Sequence, residues 1–498
     1  MAYILAIDQG TSSTKTIILD ADGKVIFKAT EPLKTHYLDG NRVEQEPEVI
    51  YQNVLTSVKK CLDGFKASGG DVMLIKACGI SNQRETFLLW DKAGTPLCNA
   101  IVWQCKRSVG VCDRLKKEGL ESKINQKTGL IIDPYFSGTK VIWLYEHEPK
   151  IKEAIDRGQA YFGNVDSWLL YKMTSGKSYM TDYTNASRTM FFNLRELQWD
   201  RELLADFGLS KLNLPSLEPS SHNFGQTTFG GLLNHPISIS AMIGDSHAAA
   251  FGEGCFESGS AKATLGTGSS ILMNIGGIPK PSLNGMVTTI CWSTAERVDY
   301  ALEGIIVSAG ATIEWLKNQV GLFESMEELE RICLSLDYNG GVYIVPAFSG
   351  LGAPHWDMNR KASIEGLSFD STKNHIIRAA VESVPYQIKD VIVAMEADSG
   401  MPLTELKVDG GITSNKFVIQ FLADLLERKV TNIVIADVSA LGAGYLAGLN
   451  TGVYESLDQL KTFHQNSKST KAGSNSKNTK IWYESWKRII DRTQYSKP

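Results

Sequence analysis

The sequence predicts an α/β protein built from two related halves. Strand and helix signals alternate over most of the chain, which is the pattern of an α/β architecture. A strand, a Gly/hydroxyl turn and a second strand occur near the N-terminus, and the same device returns just past the middle. The length of 498 residues suits two to four domains at roughly 150 residues each. We expect the halves to divide near residue 250, as 1–250 and 251–498.

Residues 3–8 (YILAID) are apolar and β-prone, and they stop at Gln9-Gly10-Thr11-Ser12-Ser13. A second run at 16–19 leads into the turn Asp20-Ala21-Asp22-Gly23 and a third run at 24–27. Strands parted by short Gly/Asp turns read as an antiparallel meander. A helix is expected over 48–61. Residues 237–243 (ISISAMI) form a strand that ends at Gly244-Asp245, and 246–251 open a helix. The second meander device is 262–265, then Gly266-Thr267-Gly268, then 270–273. A later strand, 406–409, meets Gly410-Gly411 and a helix over about 414–426. Ile377, Val381, Val384, Ile388, Val391 and Met395 have helical spacing over 376–395. Pro385 is expected to kink that helix, because it removes a backbone donor and crowds the preceding turn. Residues 465–479 are polar, Gly/Ser/Asn/Lys-rich and aperiodic, and read as a mobile surface loop. A last helix places Trp482, Trp486, Ile489 and Ile490 on one stripe that docks on a core.

Composition narrows the function. Hydrophobic residues make up 43% and charged residues 21%, which argues against disorder, collagen-like repeats and a disulfide scaffold. The net charge of −4 argues against a general nucleic-acid or anionic-membrane surface. No segment approaches the roughly 18 apolar residues of a membrane span. The eight cysteines form no CxxC pair and have no His at zinc spacing, so they read as reduced thiols. With no export signal in MAYILAIDQG, the expected location is the cytoplasm.

Five stretches could carry chemistry. In Asp8-Gln9-Gly10-Thr11-Ser12-Ser13-Thr14-Lys15, an aspartate at a strand end precedes a tight hydroxyl-lined turn and a cation. That arrangement suits a polyphosphate with its metal, although GxxxxGK[ST] is absent and a plain hairpin turn is the alternative. Gly266-Thr267-Gly268 and Asp409-Gly410-Gly411 are further Gly turns, each also explicable as simple turn chemistry. Together the three suggest two halves clamping one nucleotide. Asp245, at a strand end and a helix start, is either a general base for an alcohol or a helix cap. Gln83-Arg84-Glu85-Thr86 offers a donor beside an acceptor for a neutral polyhydroxylated ligand, or else a surface ion pair.

These residues resemble the FGGY carbohydrate kinases, the glycerol kinases among them. The likeness is carried by IDQGTSSTK, SNQRET at 81–86, AIVWQCKR at 100–107, DPYFSGTK at 133–140, TDYTNASRTMFFN, GTGSSILMN, PAFSGLGAPHWD and KVDGG. Two family signature stretches fit 135–144 and 362–382. The resemblance runs in order from residue 3 to about 490. It implies two actin/hexokinase-like (RNase H-like) domains with the active site in a cleft between them. It also implies Mg2+-dependent transfer of the ATP γ-phosphoryl group to a terminal hydroxyl of glycerol. On this reading Asp245 is the general base and Asp8 helps hold the metal. Thr11, Ser12, Ser13 and Lys15 approach the phosphates from the first domain. Thr267 and Gly310 approach the nucleotide from the second, with Gly411 and Asn415 near the adenosine. Arg84, Glu85 and Tyr135 match polyol-binding positions, and Trp103 matches an apolar wall. Lys15 stands where Arg is usual, and Glu314 where Gln is common. Family members are often dimers or tetramers, so a homo-oligomer is expected.

Two departures bear on the acceptor. The usual GDQQAA reads Gly244-Asp245-Ser246-His247-Ala248-Ala249, and the usual GTGCF reads Gly266-Thr267-Gly268-Ser269-Ser270. Ser246 and Ser270 therefore replace a Gln and an aromatic on the substrate side. They predict a roomier, more polar pocket, which leaves a larger polyol or ketose as the alternative acceptor. A non-catalytic actin-like nucleotide sensor is a third reading, weakened by the presence of Asp8, Arg84, Glu85 and Asp245. The Gly-Gly-Thr-Arg loop that binds a sugar bisphosphate inhibitor in some bacterial members is absent, so no such inhibition is expected.

Overall fold

A computed structural model of the chain describes residues 2–434, 437–463 and 467–492. Its frame is two mixed sheets. In the first half, β1 (Tyr3–Gln9), β2 (Ser13–Leu19) and β3 (Val25–Pro32) form the expected antiparallel meander. Asp20 Oδ1 accepts the backbone N–H groups of Asp22 and Lys24, both at 2.9 Å, and so closes the second turn. Helix α1 (Pro47–Ala67) starts on a proline and buries Ile50, Val54, Val58, Cys61, Leu62 and Phe65. That stripe has the period of a helix docked on a sheet. Strands β4 (Ile75–Asn82), β5 (Ser221–Thr227) and β6 (Ile237–Gly244) complete the order β5-β6-β4-β1-β2-β3, with β4 parallel to β1 and to β6.

The second half repeats this frame. Its strands are β7 (Ser260–Leu265), β8 (Ser269–Gly276), β9 (Val287–Ser293), β10 (Val298–Ile306), β11 (Glu405–Asp409), β12 (Lys429–Asn432) and β13 (Lys468–Thr470). They lie in the order β9-β10-β8-β7-β11-β12-β13. β10-β8-β7 is an antiparallel trio and β7-β11-β12 a parallel one, matching β3-β2-β1 and β1-β4-β6. The duplication glimpsed in two Gly/hydroxyl turns is thus a duplication of topology.

Helix α2 (Asp245–Gly252) follows β6, and α3 (Gly310–Trp315) follows β10. Helix α4 (Lys373–Ser399) continues through Pro385 and buries all six positions of the expected stripe. Helix α5 (Lys416–Leu426) is led in by a single 3-10 turn, Gly411–Ser414. Helix α6 (Val438–Asn450) follows the second sheet's parallel strands but packs on the first. Its Leu441, Ala443, Tyr445 and Leu446 share a cluster with Ile4, Ala6, Ala77 and Ile243 and with Ala248 of α2. A Cβ on its Gly442 would run into the carbonyl oxygen of Ala248.

The expectation of a loop over 465–479 is corrected. Residues 465 and 466 lie outside the described residues, but Lys468–Thr470 form β13 and α7 (Ser476–Arg492) begins at 476. β13 exists because its backbone pairs with β12, and Ser469 Oγ meets Thr431 Oγ1 at 2.9 Å. An edge strand needs no apolar face of its own to do this. In α7, Trp486 and Ile490 are buried, while Trp482 and Ile489 pack against the same core.

Candidate active site

Asp8 stands at the end of β1, opposite Lys15 of β2 and beside Ser81 of β4. Ser81 Oγ donates to Asp8 Oδ1 at 3.0 Å. Burial raises the Asp8 pKa to about 6, and the charge of Asp245 adds to the rise against Lys15 and Ser81. The Gly10–Ser13 turn closes through Gly10 N–H to Ser13 O at 3.0 Å. Thr11 Oγ1 accepts the indole N–H of Trp103 at 2.9 Å and donates to Gln83 Oε1 at 3.3 Å. Ser12 is exposed, and Lys15 Nζ pairs with Asp437 at 3.1 Å.

Past β4 the chain turns inward. Glu85 has φ 60, a left-handed conformation uncommon for a residue with a side chain, and such residues gather where structure over-determines them. Arg84 and Glu85 do not form a surface ion pair; they are buried and face different partners. Arg84 Nε donates to Asp245 Oδ1 at 3.1 Å. Its Nη1 reaches His247 Nε2 at 3.0 Å and Glu303 Oε2 at 3.2 Å. Its Nη2 reaches Ser246 Oγ at 3.1 Å and Glu303 Oε1 at 2.8 Å. All five guanidinium donors are therefore engaged within the chain. Glu85 Oε1 accepts from Arg188 Nε at 2.5 Å. Burial raises the Glu85 pKa, opposed by Arg188 and Arg84. Burial also acts on Glu303, but Arg188 and Arg84 outweigh it and hold that carboxyl well below the usual range.

Two aromatic rings stand beside this cluster. Trp103 and Tyr135 meet edge-on, 5.5 Å between centroids. Their backbones are tied by the buried Lys140, whose ammonium donates to Pro134 O at 3.0 Å, Tyr135 O at 2.8 Å and Trp103 O at 3.5 Å. Helix α2 starts at Asp245 itself, with Gly244 as cap and no side-chain cap bond, so capping does not account for this aspartate.

In the second half the Gly266 and Gly410 turns and the start of α3 at Gly310 come together. Gly310 N–H bonds Gly266 O, and Ala309 N–H bonds Thr267 O, each at 2.9 Å. Gly410, at φ 100, lies so close to Leu265 that a Cβ there would strike its backbone. Thr267 is exposed, and the space beside the Gly411 Cα is open. Asn415 Oδ1 caps α5 through the N–H groups of Phe417 and Val418, and its buried Nδ2 has no partner among the described residues. Glu314 is exposed. Ser270 Oγ turns to Glu303, 3.2 Å from Oε1.

Sequence reasoning missed Arg188, His247, Glu303 and Asp437. Each is a polar residue whose partners come from distant segments. The signals available in the sequence were a glutamate inside the apolar run VDYALEGII and the places of Arg188 in TDYTNASRTMFFN and of His247 beside Asp245. Among the described residues, no group of three or more His, Cys, Asp or Glu could hold a metal ion, and no helix is long and apolar enough to cross a membrane.

A duplicated sheet whose strands end on Gly/hydroxyl turns, with a carboxylate at a helix start beside buried guanidiniums, is the framework of a two-lobed kinase. Family comparison makes the class specific. The N-terminal domain of the FGGY family of carbohydrate kinases matches residues 3–252, and the C-terminal domain of that family matches 261–451. The chain belongs to the FGGY family of carbohydrate kinases. It is 44% identical to the glycerol kinase of Carboxydothermus hydrogenoformans over 99% of this chain and 98% of that one. It is 41% identical to the glycerol kinase of Vibrio cholerae over 99% and 97%. Among solved structures it is similar to Plasmodium falciparum glycerol kinase with ADP, at 34% identity, TM-score 0.93 and 100% and 99% coverage.

Proposed function

We propose that this chain phosphorylates a terminal hydroxyl of glycerol with ATP, giving sn-glycerol 3-phosphate and ADP. The observation that carries the reading is the contrast within one cluster. The Asp245 side chain is 37% exposed, whereas Arg84 is 5% exposed, Glu85 1% and Glu303 0%. A carboxylate open to a ligand, beside buried groups that fix it, suits a base that takes a proton from an entering alcohol. In the step, the alcohol oxygen bonds to the γ-phosphorus, its proton passes to Asp245, and the bond to the ADP oxygen breaks. Arg84, Glu85, Trp103 and Tyr135 bind the polyol, with Ser246 and Ser270 on the same wall. Thr11, Ser12, Ser13 and Lys15 attend the phosphates, as does Thr267 from the other side. Gly310, Gly411 and Asn415 form the nucleotide's far end; the orphaned Asn415 amide supports this, because a buried donor without a partner suits a ligand acceptor.

Asp8 suits a cation brought with the nucleotide. It is raised in pKa by burial and by the nearby Asp245 charge, a strain that positive charge relieves. One or two carboxylates with phosphate and water are the usual donors for Mg2+. Bound there, Mg2+ would neutralise charge on the phosphates. The division of roles near residue 250, a cytoplasmic location and a homodimer or homotetramer belong to the same proposal. The eight free cysteines suit a reducing compartment.

A coupled ADP assay with glycerol, erythritol, ribitol, xylitol, xylulose and glyceraldehyde tests the reading. The highest kcat/KM is expected with glycerol. A preference for a longer acceptor would replace glycerol with the larger-polyol alternative, and ATP binding without turnover on any acceptor would favour the sensor.

A further inference from the structure

We propose that Glu303 is a positioning residue for the acceptor, reaching from the second half to fix Arg84 and Arg188 in the first. This inference rests on the reading of Arg84 and Glu85 as polyol ligands.

Glu303 lies within β10, fully buried, between Leu302 and Gly304. Both of its oxygens are doubly engaged. Oε1 takes Arg84 Nη2 at 2.8 Å and Ser270 Oγ at 3.2 Å. Oε2 takes Arg84 Nη1 at 3.2 Å and lies 2.7 Å from Arg188 Nη1. Through Arg188 Nε the chain of charges continues to Glu85. One carboxylate in the second half therefore sets the direction of both first-half residues that receive the polyol. Burying such an ion cluster adds little stability over an apolar substitute, so its presence points to geometry. A guanidinium held on both forks by one carboxylate has few orientations left.

The residues around Glu303 support this role. Ser246, His247 and Ser270, three of the positions that depart from the family pattern, all touch Arg84 or Glu303. Because Arg84 can only donate, His247 Nε2 accepts and the ring is neutral with its proton on Nδ1. With all five Arg84 donors occupied, a polyol hydroxyl gains one by displacing a neutral partner such as the half-buried Ser246 hydroxyl, while Glu303 keeps the guanidinium in place.

The test measures KM for glycerol and for ATP separately in Glu303→Gln, Ser270→Ala and Arg84→Lys, with Tm recorded for each. Loss of a charged buried hydrogen-bond partner should raise the glycerol KM of Glu303→Gln by about tenfold or more, with the ATP KM within about twofold. Ser270→Ala, a mild change expected to fold, should raise the glycerol KM by about threefold and leave the ATP KM unmoved. An unchanged glycerol KM, or an equal rise in both constants, in either variant that folds overturns the role of Glu303. If Glu303→Gln does not fold, Glu303→Asp, which keeps the charge but withdraws the carboxylate from the guanidiniums, decides in its place, because Ser270 itself stands on the polyol wall. If Arg84→Lys leaves the glycerol KM unchanged, the acceptor-site reading itself fails. If Arg84→Lys raises it and the Glu303 and Ser270 variants do not, only this inference fails.

Discussion

Lys140 shows what one buried charge contributes to the site. Its ammonium binds the carbonyls of Pro134 and Tyr135 and approaches that of Trp103, and so holds both aromatic walls. Burial lowers its pKa to about 8, with the negative charge of Glu85 opposing the fall. Folding thus favours the neutral amine relative to the unfolded chain, where lysine titrates near 10.4. The folded form binds fewer protons between those values, so this residue's contribution rises with pH through that window and is lost as pH falls through about 8. Lys140→Met should remove the slope: the stability gap between the chains, read by urea denaturation, should change between pH 8 and pH 10. A gap that stays constant with pH would contradict the assignment. At this scale the sequence motifs marked Asp8, Arg84, Glu85 and Asp245 as candidates, and the structure pairs Arg84 with Asp245. The roles of Glu303 and of Arg188, although Arg188 lies in TDYTNASRTMFFN, were not so marked. Their meaning depends on partners more than a hundred positions away, such as Arg84 to Glu303, and no local pattern encodes that.

At the level of elements, the meander, the stripe of α4 and the stripe of α7 were legible because side-chain period carries them. β13 was not, since its register comes from β12 and its own residues are polar. Helix α6 gives the sharpest case of packing overriding propensity. Gly→Ala in an exposed helix interior gains roughly 1 kcal/mol. At Gly442 the added Cβ would meet the backbone of Ala248 in α2, the helix that begins with Asp245. We expect Gly442→Ala to destabilise by about 2 kcal/mol or more through overpacking and to lower kcat, because α2 must move. Thermal melting and steady-state rates check this together. A variant more stable than the parent, with unchanged kcat, would show that the contact is soft.

Across the whole molecule, the two halves are repeats in topology but are not independent bodies. Ser187 Oγ meets Thr289 Oγ1 at 2.8 Å, Ser220 Oγ meets Ser293 Oγ at 3.1 Å, and Ser439 Oγ donates to Asp245 O at 3.1 Å. Helix α6 and Glu303 also join the halves. On the proposed reading the turns of both halves attend the nucleotide and the alcohol enters beside Asp245, where closure would keep water out of the transfer. The proposed transfer depends on Asp245 as the group that accepts the alcohol's proton. Its most direct test is the rate of glycerol-dependent ADP formation by Asp245→Asn, measured beside ADP affinity by calorimetry. We expect kcat to fall by about 10²–10⁴-fold with ADP affinity within about twofold of the parent. A near-parental kcat with intact ADP binding would contradict the central claim.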